Sequence, residues 1–283
     1  MIMYPMAVGQ VLTRVFEAGA ADAKPMVLVH GLTSRADRWR CNIDALAAAG
    51  YRVFAPDLPG HGFASKRAEL DHSVPGYRDF ILDFLDAIGV ERAVLVGTSL
   101  GGHIVGAVTC HRPERAAATV MIGSLGLHPV TAERVERIRH GFADMRPEAV
   151  RARLLTVFSD PRFVTEQLVR EDLLVNTSPG ANASLAAFID YMAARFNDDL
   201  VADGLAALGD RLPLLLLWGE EDQSVPVELG RAAHARLPHS RLVTFARTSH
   251  TPYMEQPELF NRVVLGFLDG TLSSFAAAGI TCR

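Results

Sequence analysis

Seven short aliphatic and β-branched runs mark the chain: VLTRVF (11–16), MVLVH (26–30), YRVFAP (51–56), AVLVGT (93–98), ATVMIG (118–123), LLLLW (214–218) and LVTFA (242–246). Most are continuous rather than alternating. Strands covered on both faces read this way, which predicts a mainly parallel sheet flanked by helices. Helical patterns fill the gaps. CNIDALAAAG ends on Gly50, a C-cap residue, and YRDFILDFLDAIG gathers Phe80, Leu82, Phe84, Leu85 and Ile88 largely on one side. ELFNRVVLGFLDG repeats the pattern near the C-terminus. Strand and helix alternate, so the predicted class is α/β.

The alternation stops between Ser124 and Leu208. TAERVERIRHGFADM, PEAVRARLLTVF, VTEQLVREDLLV and ASLAAFIDYMAARF read as helices, with Pro147, Pro161 and Pro179 at their boundaries. A stretch of about 85 residues is far longer than an ordinary connection. It predicts a helical cap, residues 124–208, inserted into a core domain made of 1–123 and 209–283. There is no internal repeat and no low-complexity segment.

Composition narrows the partners. Hydrophobic residues make up 49% and charged residues 21%, enough apolar surface for a buried core. The net charge of −4 and the lack of basic runs argue against nucleic acid. Cys41, Cys110 and Cys282 have no metal-ligand spacing and suit a reducing cytoplasm. MIMYPMAVGQVLTR lacks a basic region ahead of an apolar stretch, and no run of 18 apolar residues follows, so neither a signal peptide nor a membrane span is expected. A homodimer is left open.

Candidate chemistry sits where one strand pattern meets a helix pattern. Gly97-Thr98-Ser99-Leu100-Gly101 matches G-x-S-x-G, a weak match by composition alone. Its setting strengthens it, because a strand ends at Thr98 and LGGHIVGAVTCHR begins a helix at once. A strained turn there lifts the serine hydroxyl above the sheet edge, and Gly97 and Gly101 remove clashing side chains. The N–H of Leu100 then lies at the positive helix end. A dinucleotide-binding G-x-G-x-x-G would need glycine in place of Ser99.

A serine nucleophile needs a base. Of ten histidines, His30 and His61 lie at a strand end and a turn, His103, His111 and His234 on helices, and His72, His128, His140 and His239 in cap or surface contexts. His250 lies in ARTSHTPYMEQPE, a polar loop after the last predicted strand, from which an imidazole can reach over Ser99. The carboxylate that would orient it is Asp222, in LLLLWGEEDQSVP. Ser99, Asp222 and His250 occur in that order, each at a strand end. A second oxyanion donor is expected from the N–H of Leu32, where Gly31 lets the main chain come close.

The motifs HG (30–31), DLPGHG (57–62), GTSLGG (97–102), WGEEDQSVP (218–226) and SHTPYMEQPE (249–258) together resemble the α/β-hydrolases. That resemblance implies an eight-stranded, mostly parallel sheet with a helical cap after the sixth strand. VFSDPRFVTEQLVRE and WGEEDQSVP are similar to the capped hydrolases that cut carbon–carbon bonds in meta-cleavage products, and also to related esterases and lactonases. Two features depart from the carbon–carbon group. Leu32-Thr33-Ser34-Arg35 stands where that group has a glycine-rich stretch. No arginine lies in 176–188, where a cap arginine for the substrate carboxylate is expected, and Arg195 is the nearest substitute.

The expected activity is therefore hydrolysis of a carboxylic ester or lactone through an acyl-enzyme on Ser99. Carbon–carbon hydrolysis of a vinylogous diketone is the alternative, acyl transfer to another acceptor a further one, and a slow or non-catalytic ligand receptor a reading of another class. No metal or organic cofactor is implied. The expected partner is a small, largely apolar molecule, and Phe142, Leu155, Phe158, Phe163, Phe188 and Met192 are candidate pocket residues.

Overall fold

Nine strands form one sheet in the computed structural model, which describes residues 1–272 and 280–282. They are β1 (Ile2–Val8), β2 (Val11–Ala18), β3 (Lys24–Val29), β4 (Tyr51–Pro56), β5 (Ala93–Thr98), β6 (Ala116–Ile122), β7 (Leu214–Gly219), β8 (Arg241–Phe245) and β9 (Ile280–Cys282). The spatial order is β1-β2-β4-β3-β5-β6-β7-β8-β9. From β4 to β8 every pairing is parallel; β1, β2 and β9 are joined antiparallel.

The seven predicted runs are β2 to β8. The sheet has nine strands rather than eight, and the two outermost were not anticipated. β1 pairs with β2 across a two-residue turn in the register Val8↔Val11, and its Pro5 is tolerated on an edge strand. β9 covers the free edge of β8, from Val243↔Cys282 to Phe245↔Ile280. Much of the tail expected to be loose, 273–279, lies outside the described residues.

Eleven helices accompany the sheet among the described residues: α1 (Arg40–Ala48), α2 (Val74–Ala87), α3 (Leu100–His111), α4 (Ala132–Ala143), α5 (Pro147–Val157), α6 (Glu166–Asn176), α7 (Ala181–Ala194), α8 (Ala202–Leu208), α9 (Val227–Arg236), α10 (Pro252–Glu255) and α11 (Pro257–Leu268). Caps set several starts. Thr131 accepts from the N–H of Arg134, Thr165 from that of Leu168, and Pro147 opens α5. None of the described helices is long and apolar enough to cross a membrane.

Strand side chains alternate between two buried layers, which explains the unbroken hydrophobic runs. Val27 and Val29 of β3, Leu95 of β5, and Leu216 and Trp218 of β7 join one core with α2 and α3. Met26, Leu28, Val94, Val96, Leu215 and Leu217 join the other, against α1 and α11. Phe188, Ile189 and Met192 of α7 extend the first core, while Val150, Leu154 and Leu168 of α5 and α6 form a separate small cluster. The chain reverses its direction of winding between β3 and β5. Such a switch point opens a crevice at the carboxyl ends of its strands.

Candidate active site

Ser99 stands at the mouth of that crevice, between β5 and α3. Its backbone is strained at φ 57° and ψ −116°, a region that non-glycine residues rarely occupy. Neighbouring hydrogen bonds hold it there. The Ser99 N–H donates to Ile122 (2.8 Å), and its carbonyl accepts from Leu125 and His103 (both 3.2 Å). A Cβ on Gly97 would run into the Gly101 carbonyl, and one on Gly101 into the Val29 carbonyl, so the turn closes only with glycine at both places. Leu100 is the first residue of α3, so its N–H has no partner within the helix. Gly31 passes so close that a Cβ there would stand 3.1 Å from that of Ser99.

Asp222 and His250 meet. Nδ1 of His250 lies 2.7 Å from Oδ2 of Asp222, and both residues are buried. Oδ1 of Asp222 accepts from the N–H groups of Ser224 and Val225, both at 2.8 Å, which leaves Oδ2 to the imidazole. With Nδ1–H donating to the carboxylate, Nε2 is the nitrogen available as a base.

Ser99 and His250 line one cavity of about 420 Å³, together with Gly31, Leu32 and Thr98. A volume of that order suits a small organic molecule. Phe142, Phe158 and Met192 also face it. Leu155, Phe163 and Phe188 do not: Leu155 is exposed, Phe163 stacks on Phe158 with centroids 5.5 Å apart, and Phe188 is core. Arg195 is exposed and outside the cavity wall. The wall carries four other arginines, Arg38, Arg134, Arg137 and Arg153. Residue type alone could not select them, because which arginine faces inward depends on packing.

The inserted helices attach to each of the three loops around the crevice. From α4, Arg134 donates to the Ser224 carbonyl at 2.5 Å, next to Asp222. At the end of α5, the Val157 carbonyl accepts from the His250 N–H (3.2 Å) and the Thr251 hydroxyl (3.0 Å). From α6, Asp172 accepts from both Arg35 and Arg38, and Asn176 donates to the Thr33 carbonyl at 3.2 Å.

His30 has a different task. Its Nε2 accepts from the Leu58 N–H and its Nδ1–H donates to the Gly31 carbonyl, both at 2.9 Å, so the ring is neutral and braces the turn. Burial lowers its pKa against the opposing pull of Asp57. Burial also pushes His61 down to about 3 and His103 to about 4. Gly123, just past β6 with φ +48°, went unnoticed in the sequence although it borders the His250–Asp222 pair.

Comparison with known proteins agrees with this architecture. The family model of the alpha/beta hydrolase fold matches residues 24–257. The chain is 32% identical to the dihydrolipoyllysine-residue acetyltransferase component of the acetoin cleaving system of Pseudomonas putida, over 92% of this chain and 68% of that protein. It is 30% identical to 2-hydroxymuconate semialdehyde hydrolase of Pseudomonas sp. strain CF600, over 90% of each. A mutant meta-cleavage product hydrolase from Pseudomonas fluorescens IP01 superposes with a TM-score of 0.82 at 26% identity, covering 94% of this chain and 97% of that one.

Proposed function

The chain belongs to the α/β-hydrolase family, and we propose that it is a serine hydrolase cutting a carbon–carbon bond in an anionic vinylogous diketone of the meta-cleavage type. The observation that carries this reading is the make-up of one cavity. Ser99 and His250 share a largely apolar wall with guanidinium groups, Arg38 and Arg134 among them. A neutral ester offers such groups carbonyl acceptors but no charge to pair with. A dienoate presents a carboxylate and, as its bond breaks, a delocalised enolate. Relatives named for this chemistry support the same choice over the ester or lactone expected from the motifs.

The residues then divide the work. His250 takes the proton of the Ser99 hydroxyl as its oxygen attacks the ketone carbon, and Asp222 supports the imidazolium that forms. The N–H groups of Leu32 and Leu100 hold the oxyanion; losing one such donor typically costs about 3 kcal/mol of transition-state stabilisation. The carbon–carbon bond breaks with its electron pair passing into the conjugated fragment. That fragment takes the proton from the His250 imidazolium and leaves, which returns His250 to its neutral form while the acyl group stays on Ser99. Water activated by His250 then releases it as the acid. The inserted helices act as a cap over a small substrate, apolar along its length with an anionic end.

One observation favours ester or lactone hydrolysis as the second reading. The segment after β3 is Leu32-Thr33-Ser34-Arg35, with Thr33 at φ 54°, in place of a glycine-rich stretch. An alkoxide needs no conjugated sink, so the same three residues would suffice. Comparing kcat/KM on a ring-fission dienoate with that on a nitrophenyl ester panel separates the two. Preference for the dienoate is expected, and preference for the esters overturns the carbon–carbon reading.

A further inference from the structure

The guanidinium groups of the cavity wall are not equivalent. Arg134 is engaged with the Ser224 carbonyl. Arg153 donates through Nη1 to the Gly141 and Asp144 carbonyls at 2.5 and 2.6 Å, and its Nη2 lies 3.4 Å from the Met145 sulfur. Arg137 is mostly exposed and pairs with Glu133 at 2.8 Å. Arg38 differs from all three. It lies in the short turn Ala36–Trp39 that follows the Gly31–Arg35 segment, and it is only 6% exposed. Its Nη2 donates to Asp172 of α6, whereas its Nη1 is buried without a hydrogen-bond partner among the described residues.

A buried guanidinium N–H left unpaired is costly, and native proteins rarely keep one without a reason. The charges around it point to that reason. Asp172 is shared between Arg38 and Arg35, whose Nη1 lies 2.6 Å from the same oxygen. Arg35 also has Asp37 at 2.8 Å and Glu171 at 2.6 Å. Arg38 therefore belongs to the cavity lining, as do Thr33, Ser34 and Tyr253, and it shares its carboxylate with Arg35 and has a donor to spare.

We propose that Arg38 is the residue that holds the substrate's carboxylate, through Nη1, with Asp172 fixing the guanidinium from the other side. This rests on the reading that the cavity takes an anionic substrate. It puts the specificity group on the core, two positions before Arg40 opens α1, rather than on the inserted helices where Arg195 was the sequence candidate. The acyl end of the substrate lies at Ser99 and its anionic end at Arg38. Placing the acyl end sets which bond is cut; placing the anionic end sets which molecules are accepted.

The test compares mono-nitrophenyl esters of short dicarboxylic acids with nitrophenyl esters of monocarboxylic acids of equal length. Both report acylation of Ser99 whether or not the natural bond is carbon–carbon. The wild type is expected to favour the anionic member of a pair. Arg38→Met should lower the anionic-to-neutral ratio of kcat/KM by about 10- to 100-fold, mainly through KM, as expected for a lost charge-assisted hydrogen bond. Any general damage to the fold lowers both esters and cancels in the ratio. Arg38→Lys keeps the charge near Asp172 and should give an intermediate ratio. A ratio unchanged in Arg38→Met, or a wild type that rejects every anionic ester, overturns the proposal. If the dienoate is refused while the ratio behaves as expected, the carbon–carbon reading falls and the Arg38 site stands. If the dienoate is cleaved while the ratio does not move, the reverse holds.

Discussion

A Cβ on Gly123 would stand 2.8 Å from Nδ1 of His250 and 3.0 Å from Oδ2 of Asp222. The chain leaving β6 thus runs beneath the hydrogen bond between those residues with no room for even a methyl group. The N–H of Gly123 donates to the Leu217 carbonyl at 2.9 Å, so the backbone cannot easily retreat.

Gly123→Ala should therefore push the imidazole and carboxylate apart. A displacement of about 1 Å in reacting groups can cost on the order of 100-fold, and that loss is expected in kcat more than in KM. The positive φ adds a stability cost of about 1–3 kcal/mol. Steady-state kinetics beside urea unfolding separate the two effects. Activity within a few-fold of wild type would mean that the pair does not depend on this contact.

Asp222→Asn tests the tautomer. Oδ1 is committed to two backbone N–H groups, so an amide in this place would turn its NH2 toward His250. The imidazole would then have to accept at Nδ1 and carry its proton on Nε2, the wrong nitrogen for a base. A drop in kcat of roughly 10⁴-fold is expected, with the fold intact by circular dichroism. Ser99→Ala should abolish covalent labelling by a fluorophosphonate probe. Equal labelling of wild type and Ser99→Ala would remove Ser99 from the mechanism.

The Arg35–Asp172–Arg38 cluster joins the Gly31–Trp39 segment to α6. Removing one partner of a buried ion pair typically costs about 3–5 kcal/mol, because the remaining charge stays buried. Asp172→Leu should fall at the lower end, since Arg35 keeps Asp37 and Glu171. Adding Arg38→Met removes the stranded charge, so the double variant should be more stable than Asp172→Leu alone. Additive losses in urea midpoints would show that the two residues are not coupled.

Much of this was legible because the sheet and its edges obey simple periodicities. β5 and β7 read as strands from unbroken aliphatic runs, and Ser99 was marked by the abrupt change from strand to helix period. Asp222 and His250 were proposed from their positions after β7 and β8, and the fold brings their side chains together. β1 was hidden because its outer residues are polar-like in pattern yet apolar in kind, with Ile2 and Met3 exposed and Pro5 interrupting the run. Arg38 and Gly123 were invisible for another reason. Their significance comes from side chains brought in from Asp172, Asp222 and His250, distant in sequence, and no local pattern encodes a donor left without a partner.

The buried histidines make a last prediction about acid. His61 donates from Nδ1 to the Pro59 carbonyl (2.9 Å), and His103 from Nε2 to the Asp199 carbonyl (2.7 Å), and burial keeps both rings neutral near pH 7. Burial is the main cause that holds their pKa values at about 3 and about 4, against about 6.5 in the unfolded chain. Between those limits the unfolded state binds more protons than the native one, so stability rises with pH across the window. The contribution is complete above about 6.5 and is lost progressively as pH falls toward the native values. Each ring can add a slope of at most about 1.4 kcal/mol per pH unit. Urea midpoints should therefore drop between pH 7.5 and pH 5.5. His103→Gln keeps an N–H donor for the Asp199 carbonyl but cannot titrate, so its midpoint should fall less steeply over the same interval. Parallel lines for wild type and His103→Gln would show that this ring takes no part in acid unfolding.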